Sequence, residues 1–76
     1  MIEIKNLTNA DVGRWVVYND GIRPPERGRI KSWNEKYVFV VYERPGRDMS
    51  KFREYTAVAT APEDLNFCGG VEIVRD

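Results

Sequence analysis

The sequence predicts a mainly β domain, a small barrel of about five short strands, and three observations carry that expectation. Apolar residues come in short β-branched and aromatic runs, of which Trp15-Val16-Val17-Tyr18 and Tyr37-Val38-Phe39-Val40-Val41-Tyr42 are the strongest. Turn residues recur at close spacing between the runs. Hardly any stretch has the 3.6-residue apolar period of an amphipathic helix. With 76 residues there is room for one core, so residues 1–76 read as a single domain.

Taken in chain order, a first strand runs from Arg14 to Tyr18 and ends at the turn Asn19-Asp20-Gly21. The segment that follows is a loop, because Pro24 and Pro25 both lack the N–H that a central strand must donate. A second strand covers residues 26–33, and the short polar Asn34-Glu35-Lys36 joins it as a hairpin to a third over residues 37–42. In Arg44-Pro45-Gly46-Arg47 proline pre-sets the first corner and glycine the second, as a type II turn prefers. Residues 49–54 predict a brief helical turn, and residues 56–60 a fourth strand. Thr60-Ala61-Pro62-Glu63 has the form of a capping box with proline at the first helical position, so one helical or 3-10 turn should follow before Leu65 returns to the core. The last strand begins near Asn66-Phe67 and, after an interruption at Gly69-Gly70, resumes over residues 71–74.

Composition narrows the function classes. Twelve Lys and Arg balance twelve Asp and Glu, so no global field draws the protein onto a polyanion. Cys68 is the only cysteine, which excludes an intramolecular disulfide and fits a reducing, cytoplasmic setting. No charged leader with an apolar run and no long apolar stretch is present, so neither a signal peptide nor a membrane span is expected. There is no histidine, so zinc and thiol-protease chemistry lose their usual parts and no metal or cofactor is expected.

One short turn ahead of the final strand points to an SH3-like barrel. Val12-Gly13-Arg14, Val16-Val17-Tyr18, Gly28-Arg29-Ile30, Tyr37-Val38-Phe39-Val40 and Pro62-Glu63-Asp64-Leu65, with Tyr55-Thr56-Ala57 and Ala59-Thr60, resemble a family of small phage and prophage proteins with SH3-like barrels. The resemblance spans most of residues 12–67 and leaves out the tail beyond Phe67. It implies the barrel fold and an accessory or structural role, and it implies no established activity.

Side chains alternate along a strand, which sorts them into two faces. Val16, Tyr18, Ile30, Val38, Val40, Tyr42 and Leu65 are assigned to the interior. Trp15, Val17, Trp33, Tyr37, Phe39 and Val41 then form a second apolar face. Either residues 2–7, the Phe52 region or residues 71–74 fold back over it, or it is a homodimer or partner interface, since aromatic residues mark the centres of such contacts.

Charge is uneven along the chain: residues 23–53 hold nine bases against four acids, and residues 54–76 five acids against Arg75. Arg27, Arg29 and Lys31 alternate on one strand and should project together, and beside Trp33 they make a candidate nucleic-acid contact, cations for phosphates and rings for bases. The competing explanation is a solvated strand face. Asp20-Gly21 reads as turn chemistry, Glu63-Asp64 as first-turn carboxylates, and Cys68 as a small apolar filler. No nucleophile with its base can be assembled, so the expectation is a non-enzymatic protein-interaction or structural module, with nucleic-acid binding as the alternative.

Overall fold

The computed structural model describes residues 1–68. The strand expected over residues 71–74, and any cover it gives a sheet face, lie outside the described residues. The chain forms β1 (Trp15–Tyr18), β2 (Glu26–Trp33), β3 (Val38–Tyr42), β4 (Val58–Thr60) and β5 (Leu65–Phe67), with 3-10 turns at Ile4–Asn6, Asn9–Asp11, Met49–Glu54 and Pro62–Asp64. All five strands pair antiparallel in one sheet of order β4-β3-β2-β1-β5. The mainly β, five-stranded expectation holds, including the 3-10 turn ahead of the last strand.

That order bends the sheet on itself. In a flat sheet β4 and β5, the two edges, would lie four strand spacings apart, roughly 19 Å. Yet only residues 61–64 link Thr60 to Leu65, and three of those are coiled in a 3-10 turn that rises about 2 Å per residue. The two edges must therefore curl toward each other, which agrees with extents of 31 × 31 × 30 Å. β2 lies at the centre of the sheet. Gly28 pairs with Val16 on one side and Tyr42 on the other, and a Cβ there would lie 2.6 Å from both Val40 Cγ1 and Val41 O, so only glycine lets the strands approach this closely.

The concave side holds the core. Val16, Ile30, Val38, Val40 and Leu65 have no exposed surface, Tyr42 is buried beside them, and Tyr18 packs half-buried against the group. Strand alternation thus identifies the inner set. Ile2 joins this cluster from the N-terminal segment, tied by its N–H to Pro62 O at 3.0 Å, while the Met1 amino group bonds Asn66 Oδ1. Residues 2–7 accordingly close the inner core and not the outer face.

Two local expectations are corrected. The Thr60 capping box does not form: the turn is capped by Ala61 with no side-chain bond, because Thr60 is strand-paired with Val38 and its hydroxyl faces Val58 O at 3.2 Å and Tyr42 Oη at 2.8 Å. A capping box exists instead at Thr8 and Asp11, where the Thr8 backbone N–H and the Arg14 guanidinium hold the Asp11 carboxyl below its ordinary range. The second correction is Trp33. The β2–β3 register shifts between Ile30 and Ser32, so Lys31 is an extra residue and the parity beyond it inverts. Trp33 pairs with Val38 and packs half-buried against the inner cluster, away from the outer face assigned to it.

Candidate functional site

The outer face is not the continuous apolar surface that its sequence implies. Val41 is fully buried, on the side occupied by the Met49–Glu54 turn, so it is unavailable as a contact. That turn inserts Phe52, 3% exposed, against Gly13 and Arg29. Trp15, Val17 and Phe39 are half-buried, and only Tyr37, at 44%, is largely open. Of the proposed covers among the described residues, the Phe52 region is the one that lies over this side.

The basic strip also turns inward. Arg29 donates from Nε to Gly13 O at 2.7 Å and from Nη1 to Met49 O at 3.0 Å, and its guanidinium lies over the Phe52 ring at 4.4 Å. Lys31 donates to Tyr55 O at 2.7 Å. Arg27 stacks over Trp15 at 4.7 Å and pairs with Glu43 across the β2–β3 ladder at 3.1 Å. The three cations share a face, as alternation predicts, but Arg29 and Lys31 are bound to carbonyls of their own chain. Both fasten the Met49–Glu54 turn and its exit to β2.

A cavity of about 350 Å³ lies elsewhere, at the curled side of the sheet where β4 and the Pro62–Asp64 turn approach the β1–β2 loop. Tyr18 and Tyr42 supply its aromatic surface, their rings edge to face with centroids 6.3 Å apart. Local chemistry places them: each ends its strand facing inward, and a buried phenol needs a polar partner. Tyr42 Oη finds Thr60 Oγ1 at 2.8 Å, and Tyr18 Oη donates to Asp20 Oδ2 at 3.1 Å. Val58, 52% exposed, and Ala59 on edge strand β4 form a second wall.

Arg23 and Arg44 stand at the rim, each already paired. Arg23 Nη2 meets Asp20 Oδ2 at 3.2 Å, and Arg44 Nη1 meets Glu26 Oε1 at 2.9 Å with its guanidinium 5.8 Å from the Tyr42 ring centre. The loop is built around Asp20, whose Oδ1 accepts the N–H groups of Ile22 and Arg23. Those two N–H groups, Arg23's first, hold the Asp20 carboxyl far below the ordinary carboxylate range. Burial raises both tyrosine phenols above their usual value, aided at Tyr18 by Asp20, so both stay protonated near neutral pH. The cleft therefore offers rings, hydroxyl groups and fixed charges, which suit recognition. No three Cys, Asp or Glu side chains among the described residues converge as metal ligands.

Sequence reasoning places Tyr18 and Tyr42 inside and reads Asp20-Gly21 correctly as a turn, but misses the cleft they help to form. Its walls come from four separate segments, and the only local signal is the pair of inward phenols that require partners. Comparison with family models, with curated proteins and with solved structures finds no match to this chain.

Proposed function

We propose that this chain is a non-enzymatic binding module that engages a protein partner at the Tyr18–Tyr42 cleft. The observation that carries the reading is the edge-to-face tyrosine pair opening beside β4, an edge strand of the sheet among the described residues, with Val58 exposed. Tyrosine gives large contact area at low entropic cost, and an edge strand has backbone groups to offer an extended segment. The outer face, by contrast, has its buried positions occupied by Phe52 and Val41. Nucleic-acid binding through Arg27, Arg29, Lys31 and Trp33 finds less support, because Arg29 and Lys31 satisfy carbonyls of the chain itself and Trp33 packs on the core.

A photo-crosslinking residue placed at Val58 tests this in cells. Discrete protein adducts from position 58, with none from the same residue at exposed Lys36, are expected. Equal adducts at both positions overturn the reading. So does salt-steep oligonucleotide binding that perturbs Arg27, Arg29 and Lys31 and leaves the cleft untouched.

A further inference from the structure

The charges around the cleft do not all cancel. Arg23 is paired with Asp20 and Arg44 with Glu26, so both cations at the rim are neutralised within the chain. Of the two carboxylates that line the cleft, Glu26 is paired with Arg44, whereas the Asp64 side chain has no hydrogen bond or ion pair among the described residues; its turn is held through backbone groups, Asp64 O accepting from Asn19 and Asp64 N–H reaching Ala61 O. Glu63 beside it is exposed. Residues 58–64, which form β4 and the 3-10 turn, hold two acids, Glu63 and Asp64, and no lysine or arginine. The wall formed by β4 and this turn is thus negative, and it stands opposite two rings whose faces attract cations.

Resting on the binding-module reading, we infer that the occupant of the cleft is an extended, basic segment of a partner protein, with one lysine or arginine side chain set between the tyrosine pair and the Asp64 carboxylate. Arg44 already shows what the site accepts. Its guanidinium lies near the Tyr42 ring and on Glu26, with its side chain half exposed, so the protein places one of its own cations at the mouth of the cleft. An incoming cation has the Asp64 carboxylate to meet, which no side chain among the described residues engages. An anion would meet Arg23 and Arg44 only in competition with Asp20 and Glu26 and would stand beside the Asp64 carboxylate, and an apolar side chain would leave Asp64 facing a drier environment without compensation. Edge strand β4 lets the backbone of an extended segment pair alongside, so the cation is presented by main-chain contacts that any sequence can make.

Amide chemical-shift titration of the labelled protein decides the matter, using four acetylated and amidated pentapeptides, Thr-Val-Xaa-Val-Thr, with arginine, lysine, glutamate or leucine at the centre. The arginine and lysine peptides should shift the amides of Tyr18, Tyr42, Val58 and Asp64, and bind more tightly than the other two. Asp64→Asn should weaken them about tenfold, the worth of one charge-assisted contact. Arg44→Gln, which removes the resident cation, should tighten them several-fold, a gain that misfolding would not produce. Equal or tighter binding of the leucine or glutamate peptide at the cleft, or no effect of Asp64→Asn, overturns the inference and leaves the binding-module reading standing. A cleft silent to all four peptides overturns it as well; if Val58 then gives specific adducts the module reading survives, and if it gives none both fall.

Discussion

Cations serve opposite ends on the two sides of this small sheet. On the outer side Arg29 and Lys31 are partly buried and donate to backbone carbonyls sixteen to twenty-four residues away, which fastens the Phe52 turn to β2. At the cleft Arg23 and Arg44 keep 67% and 50% of their side chains exposed and meet carboxylates at the rim. A part-buried carbonyl that loses its donor is left without water, so the first arrangement is structural. An exposed ion pair is replaced by solvent at little cost, so the second is open to exchange with a partner.

The sharpest way to break this contrast is to remove what the outer cations hold. Phe52→Ala should lower stability by about 3–5 kcal/mol in urea unfolding, the usual cost of deleting a buried phenylalanine. A loss below about 1 kcal/mol would show that the turn does not seal the outer face. Arg29→Met comes next: it keeps a long apolar stem over Phe52 but leaves two carbonyls unmet, and should cost about 2–3 kcal/mol. Tyr42→Phe removes only the bond to Thr60 inside the cleft and should cost about 1 kcal/mol by the same measurement. Arg44→Gln should change stability by about 0.5 kcal/mol or less, as exposed pairs do. An Arg44 loss matching that of Arg29 would erase the distinction between fastening and exchangeable cations.

The last comparison is confined to acid. The Asp20 carboxyl is held far below its ordinary range by the N–H groups of Arg23 and Ile22, so on acidification the unfolded chain takes up its proton first. Its contribution is complete above the unfolded value near pH ~4 and is lost as pH falls from there toward the folded value. Asp20→Asn should therefore be less stable than the parent protein at pH 6, and the gap between their urea midpoints should narrow by pH 2.5. A gap that stays constant with pH would remove the charge of Asp20 from the account of the loop.

Much of the sheet is legible because a strand's period of two is local information. Val16, Ile30, Val38, Val40 and Leu65 can be picked from alternation alone, and all five are fully buried. The turns at Asn19-Asp20-Gly21 and Arg44-Pro45-Gly46-Arg47 are legible for the same reason, since glycine and proline act on their own dihedrals; Gly21 and Gly46 adopt φ of +80° and +82°. The alternation argument fails at Lys31, where a bulge adds one residue to β2 and turns Trp33 inward. A lysine at that place has no side-chain signature of a bulge. The Thr60 capping box fails similarly, because a buried phenol at Tyr42 competes for the same hydroxyl.

By itself the sequence determined the class of fold, the inner residues of β1, of β3, of β5 and of β2 up to the bulge, and the positions of the tight turns, all of which follow from dihedral preference and periodicity within a few residues. Tertiary structure alone decided which cations are fastened and which are exposed, that Phe52 lies over the outer side, and that Tyr18, Tyr42, Val58 and Asp64 share one cleft. The physical reason is distance along the chain. Hydrogen bonds, ion pairs and cavities form between groups brought together by the curl of the sheet, and no local pattern records which carbonyl or carboxylate a cation will find.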